Sequence, residues 1–369
     1  MIPASAPAPT PSSGRLLSVD VHGHVRHLSR EAWIRLLRPG DVVIANDGAT
    51  IPASLHGTHA RTGRQIEVRL AGRDSLLPWT IDRLSAVVFG EGDFHQRTED
   101  RPLPPELRPG DRLVLGPLRA TVVVQLQHPR LVSLRFDGTA DQIWEGLARH
   151  GRPIQYSHVP EPLAVWDTWT AIAGAPVAFE PPSAGFALSW QLLESFRLRG
   201  IRFATLTHAA GLSSTGDPTL DARLPFDEPY EIPRSTARLI NRARARGRRI
   251  IAVGTSVVRA LEHAGAAGSV RSGHGLATER IGPASDLRIV DAILSGTHEP
   301  GSSHYDLLRA FVPQDTLLRV DGELNRRGYR THEFGDSVFI EKARRLARDT
   351  VVLDPRDEAF RDVLRGSTP

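Results

Sequence analysis

Between residues 176 and 342 the chain alternates short runs of β-forming apolar residues with stretches whose apolar positions repeat at helical spacing. The helical pattern of "FALSWQLLESFRLRG" (186–200) stops at Gly200 and leads into the strand-like "IRFATLTH" (201–208). "RSTARLINRARARG" (234–247) stops at Gly247 and leads into "RRIIAVG", and "SVVRALEHAG" (256–265) follows. "DLRIVDAILSG" (286–296) reads as a strand, "SHYDLLRAFV" (303–312) as a helix with Ser302 or Ser303 as its cap, and "DSVFI" (336–340) as a last strand. Strand–helix alternation of this kind predicts an α/β layer built on a mostly parallel sheet.

Residues 58–150 follow a different rule. "RQIEVRLAG", "PWTIDRLSAVVFGEG", "DRLVLGPLRATVVVQLQ" and "RLVSLRFDG" are short alternating segments separated by Gly, Pro and Asp, the pattern of a small antiparallel barrel. "ADQIWEGLARHG" closes it as a short helix. The block is preceded by a strand or hairpin, a short helix ("REAWIRLLRPGD") and a strand ("DVVIAN") within residues 15–57. Those few residues cannot close a core alone. The predicted organisation is therefore a larger α/β domain made of 15–57 and 151–369, with the 58–150 barrel inserted in it. Residues 1–14, rich in Pro, Ala and Ser, read as a disordered tail without the basic and apolar regions of a signal peptide. The charged 344–369 segment reads as peripheral.

Composition excludes several chemistries. With no cysteine there is no disulfide, thiolate nucleophile or cysteine-based metal centre, which suits a cytoplasmic protein. No apolar run approaches the ~20 residues that span a bilayer. The net charge is +4, and every basic residue but Lys342 is Arg, which permits a nucleic-acid partner without requiring one. The P-loop, the dinucleotide-binding glycine fingerprint and G-x-S-x-G are all absent. His22, His24 and His27 in "HGHVRH" lack a helical pair or a carboxylate partner and read as a surface loop, so no metal is expected.

Five stretches carry candidate chemistry. In "IIAVGTSVVRALEHAG" (250–265) Thr255 and Ser256 stand at a helix mouth, either as caps or as ligand groups. "EPPSAGFALSW" (180–190) is either a capped helix start or a ligand loop. "ATLTHAAGLSSTGD" (204–217) places His208 at a strand end, as acid or base or as a half-exposed loop residue. "RLPFDEPYEIP" (223–233) holds Asp227, Glu228 and Glu231 in a loop bounded by prolines, and "SGTHEPGSSHYDLL" holds His298 in a turn just past a strand. The arginines at 234, 238, 242, 244, 246, 248 and 249 form either a solvated face or a contact for a phosphate backbone.

Taken in order, "RLLSVD", "LRPGDVVIANDGATIPASLHG", "GRQIEV", "PSAG" (182–185), "TLTHAAG" (205–211), "DEPYEIP" (227–233), "IIAVGTSVVRALE" (250–262), "IVDAILSGTHEPGSS" (289–303) and "FGDSVFI" (334–340) resemble one family, the S-adenosylmethionine:tRNA ribosyltransferase-isomerases of the queuosine pathway. The resemblance implies an α/β domain carrying a β-barrel. It also implies a reaction in which S-adenosylmethionine donates its ribosyl portion to the exocyclic amine of a deazaguanine base in tRNA. Adenine and methionine leave, and no metal is needed. It further implies Glu228 as general base, His298 as acid, Arg259 placing a polar group and His208 as a further catalytic candidate. Pro182, Ser183, Ala184, Gly185, Thr207, Gly211, Thr255, Ser256 and Asp336 would bind the donor, and a monomer is expected.

The chain departs from the family pattern at polar positions. Where the family writes P-T-A-G-L-H-F, residue 187 is Ala; where it writes T-L-H-V-G-A-G, the histidine moves from 207 to 208. H-S-E becomes Phe226, Asp227, Glu228, and two N-terminal arginines are replaced. Two alternatives follow from these losses. One is a paralogue using the same donor on a small molecule or cleaving it alone; the other is a non-catalytic RNA-binding relative.

Overall fold

A computed structural model describes residues 1–7 and 13–343; the 344–369 segment lies outside the described residues. Its larger unit is a nine-stranded sheet. Arg202–His208, Val42–Asn46, Ile250–Val253 and Ala292–Gly296 run parallel at its centre. Glu228–Ile232 and Gly273–Ala277 extend one side antiparallel. On the other side Ser337–Glu341 pairs antiparallel with Ala292–Gly296 and parallel with Arg15–Val19, and Val25–Ser29 forms the edge. The expected mostly parallel sheet is thus parallel in the middle and mixed overall.

The central strands are buried on both faces, which explains their unbroken apolar runs. Val42, Ile44, Ile250 and Ala252 face one core cluster; Val43, Ala45, Ile251 and Val253 face another. The helices Arg234–Arg244 and Thr255–Ala264 pack Ile240, Val257, Val258 and Leu261 into the first cluster.

The second unit is a closed antiparallel barrel of six strands, Ser54–His59, Gln65–Gly72, Arg83–Phe89, Arg112–Leu115, Leu118–His128 and Leu131–Phe136. Closure leaves no free edge. Helix Ala140–His150, with a Thr139–Gln142 capping box, buries Ile143 and Leu147 in the barrel core, as its sequence predicts.

Other expectations fail in instructive ways. Ile2–Pro3, expected in a disordered tail, pairs with Arg330–Thr331. "DLRIVDAILSG" is strand only over Ala292–Gly296. Helix Gln314–Arg326 and strand Gly273–Ala277 had no sequence expectation at all. The strand is five residues long, alternates half-buried and exposed positions with only Ala277 buried, and contains two glycines, too weak a signal to stand alone. No helix among the described residues is long and apolar enough to cross a membrane.

Gly254 joins Ile250–Val253 to Thr255–Ala264 at φ +94°, a left-handed value that an L side chain rarely adopts. Gly254→Ala is expected to lower unfolding free energy by about 1–2 kcal/mol, read by chemical denaturation.

Candidate active site

All four central parallel strands end at the same edge of the sheet, the place where open α/β sheets take ligands. A cleft of about 720 Å³ opens there. Its walls come from the loops after Arg202–His208, Ile250–Val253 and Ala292–Gly296, from the start of Glu228–Ile232, and from residues 180–184. Of the sequence-predicted residues it gathers Pro182, Ser183, Ala184, Gly211, Glu228, Thr255, Ser256, Arg259 and His298.

At the 254–256 junction neither hydroxyl caps the helix. Gly254 is itself the helix N-cap, and no side chain caps the helix, so Thr255 and Ser256 lie in its first turn with both residues lining the cleft. Their position beside free N–H groups and the positive helix end suits a polar ligand.

Glu228 and Arg259 form a buried ion pair. Arg259 donates further to the carbonyls of Glu279 (3.2 Å), Phe226 (3.1 Å) and Ala277 (2.9 Å). Glu228 Oε1 accepts the Gly211 N–H at 2.6 Å. Every guanidinium nitrogen of Arg259 and both oxygens of Glu228 are therefore engaged. Burial raises the Glu228 pKa from its ordinary value, and the Arg259 charge opposes that rise. The expected assignment of Glu228 as a free general base and Arg259 as a ligand-placing group does not match this geometry; the pair is a fixed charged wall.

His298 also departs from its expected role as an acid. Burial pushes its pKa well below the ordinary value, with His304 and His332 adding to the shift. Near neutrality it is an uncharged imidazole, its Nε2 3.1 Å from Ser295 Oγ and its ring stacked on His304 at 4.5 Å. Burial also lowers His304, to about 4.

The remaining expected residues lie outside the cleft. His208 is fully buried behind its wall, with Nε2 3.5 Å from Glu228 Oε2, and burial drives its pKa down to about 3. Thr207, where the family has histidine, donates to Asp47 Oδ1 at 2.7 Å instead. A one-residue shift in a strand exchanges faces, as the sequence predicts. Gly185 packs against Thr170, where a Cβ would come within 2.9 Å of Cγ2. Asp336 borders a second cleft of about 700 Å³, which shares Ser183, Ala184 and Gly296 with the first. Its carboxylate is occupied by the N–H groups of Arg15 and Arg330, each at 2.8 Å, and by the Arg15 guanidinium. It ties strands together and has little left to offer a donor.

Sequence reading missed Glu180, which lines the main cleft. It lies within the quoted 180–190 stretch, but its partners come from elsewhere. Tyr156 Oη–H donates to Oε1, and Ser213 N–H donates to Oε2 at 3.1 Å. Burial raises the Glu180 pKa to about 7, against the lowering effect of these hydrogen bonds. It is an acid of the cleft poised near neutrality. Sequence reading likewise misses His304, which also lines the cleft.

Among the described residues, His158, His332 and Glu333 form the one group with metal-ligand spacing, their ligand atoms within 4.8 Å of one another. His158 Nε2 already bonds Glu333 Oε2 at 3.0 Å, and His158 stacks on His332 at 4.2 Å. His22 and His24 lie in the turn of the sheet-edge hairpin, as expected, but the expected lack of carboxylate partners fails: His24 Nδ1 is 3.1 Å from Asp20 Oδ2, and His27, half-buried in strand Val25–Ser29, has Nε2 3.1 Å from Glu323 Oε2.

Comparison with known proteins agrees with the ordered motifs. The family model described as "Queuosine biosynthesis protein" matches residues 2–340, and the chain belongs to that family. Curated relatives named S-adenosylmethionine:tRNA ribosyltransferase-isomerase include one from Thermosynechococcus vestitus, 32% identical over 83% of this chain and 83% of the relative. Another, from Sorangium cellulosum, is 33% identical over 91% of this chain and 94% of the relative. A solved structure of S-adenosylmethionine tRNA ribosyltransferase from Thermotoga maritima aligns with a TM-score of 0.48 and 23% identity, covering 92% of this chain and 96% of that one.

Two outcomes test the site. The folded state prefers Glu180 protonated, whereas the unfolded chain ionises it near its ordinary value of 4.5. Its contribution to stability is therefore complete below about pH 4.5 and is lost as pH rises through about 7. Relative to E180Q, wild type is expected to lose about 3 kcal/mol of unfolding free energy across that interval, measured by denaturant titration at several pH values. Asp336→Ala is expected to lower stability by about 2 kcal/mol while leaving S-adenosylmethionine affinity, read by calorimetry, within twofold.

Proposed function

We propose that this protein is an S-adenosylmethionine-dependent ribosyltransferase-isomerase that modifies a deazaguanine base in tRNA, acting in the cytoplasm. The observation that carries the reading is the family match across residues 2–340, joined to a cleft at the strand ends that holds a near-neutral acid beside uncharged imidazoles.

A bound sulfonium supplies an acidified C–H bond and an activated ribosyl carbon. This chain's residues must then move protons and keep water out. Glu180 is suited to the proton: a pKa of about 7 lets the ionised form take one and the neutral form return one to departing adenine. Tyr156 Oη–H holds the carboxyl in place. His298 and His304 present neutral ring nitrogens, and the Glu228–Arg259 pair provides a fixed field that costs no reorganisation. The second cleft shares Ser183, Ala184 and Gly296 with the first and so lies beside the same centre, where the acceptor base would approach.

A second reading, donor turnover without tRNA, is supported by two observations. Thr207 is tied to Asp47 at the position where the family has a histidine, and residue 187 is Ala.

Incubation of the protein with S-adenosylmethionine, with and without deazaguanine-bearing tRNA, separates the readings. Adenine and methionine release that requires tRNA is expected, followed by mass spectrometry. Release without tRNA would support the second reading, and none under either condition would overturn both. E180Q is expected to lower kcat about 100-fold and to remove the pH dependence near 7, with KM for S-adenosylmethionine little changed.

A further inference from the structure

The sequence places seven arginines between 234 and 249, and the structure divides them. Arg249 turns inward onto Asp41 and Glu341, and Arg244 donates to the carbonyls of Gly268 (2.6 Å) and Arg288 (2.7 Å). The other five are exposed. Arg234, Arg238 and Arg242 recur every fourth residue along helix Arg234–Arg244, and Arg246 continues the spacing in the turn just beyond it. At about 1.5 Å per residue the row is about 18 Å long. The helix cannot roll to hide it, because Thr236, Ala237, Ile240 and Ala243 are buried on the opposite side.

What sets this row apart is its regular spacing on one helix face with no carboxylate beside it. Some exposed arginines elsewhere stand against carboxylates, such as Arg97 with Glu99, Arg149 with Glu145 and Arg326 with Glu323, and others, such as Arg64 and Arg135, stand singly. Among the described residues, none of the four row arginines has an ion-pair partner, and the helix carries no acidic residue. Like charges four residues apart repel, and a cation in the first turn opposes the helix dipole. Arg242, in the last turn, suits the dipole, but the row as a whole has no negative partner within the described residues and presents a line of positive charge to a partner that supplies a line of negative charge. Helix Arg234–Arg244 follows Glu228–Ile232 after one residue, so the row begins about 20 Å of chain from the cleft carboxylate Glu228.

We infer that Arg234, Arg238, Arg242 and Arg246 form a docking surface for the sugar–phosphate backbone of the RNA whose base enters the cleft. The inference rests on the tRNA reading above and assigns it a surface outside the cleft. Guanidinium groups in a row match a repeating phosphate chain and read no sequence, so they set grip and orientation while the cleft selects the base.

The test compares wild type with R234Q/R238Q/R242Q/R246Q, binding deazaguanine-bearing tRNA across about 50–200 mM salt. Four lost contacts are expected to make the log–log salt slope shallower by about 3 and to weaken binding at least tenfold at the low-salt end. KM for tRNA is expected to rise, with S-adenosylmethionine affinity unchanged. The melting temperature is expected to hold or rise, because repulsion is relieved; a structural role for the row would lower it. An unchanged slope and unchanged KM for tRNA in a folded variant overturn the docking surface and leave the proposed function standing. Wild type that neither binds tRNA nor responds to it overturns both. Loss of binding to anionic lipid vesicles with tRNA binding intact overturns the RNA assignment in favour of a membrane.

Discussion

The cleft depends on one buried ion pair. Arg259, on helix Thr255–Ala264, reaches Glu228 at the start of an antiparallel strand and three carbonyls from segments around 226 and 277–279. Glu228 in turn holds the Gly211 N–H at the end of the strand Arg202–His208. A helix, two strands and a strand-end loop thus meet at two side chains. Losing one partner of such a pair leaves a buried charge and typically costs about 3–5 kcal/mol. The carbonyl contacts matter as much as the charge, since they satisfy donors that would otherwise be orphaned in a dry site.

With the charges locked in that wall, the rest of the cleft can stay neutral. Burial pushes both histidines down and Glu180 up, so near neutral pH the groups facing a ligand are uncharged or balanced between two states. Such a site suits a cationic donor that must release a neutral base. It also divides labour: fixed charge for the field, a poised acid for the proton. The arginine row lies outside this arrangement, exposed to water that screens it.

Much of this was legible in local pattern. Apolar runs such as "IIAV" and "VVIA" marked strands of the α/β layer, and short alternating segments marked the barrel. The one-residue displacement of the histidine to 208 was enough to infer a change of face. Chemical roles were less legible. Glu228, Arg259 and His298 stand where motif order put them, yet what each can do follows from neighbours distant in sequence. Glu180 drew no notice because its meaning comes from Tyr156 and Ser213, which no spacing rule links to it.

The sequence by itself determined the alternation of elements, the insertion of a barrel, the family and the set of segments that meet at the strand ends. Periodicity and glycine placement are local, and a chain carries them at every position. The tertiary structure alone decided protonation states, which carboxylate is tied and which is poised, and which arginines face water. Those properties depend on desolvation and on partners brought together by folding, and neither exists along an extended chain.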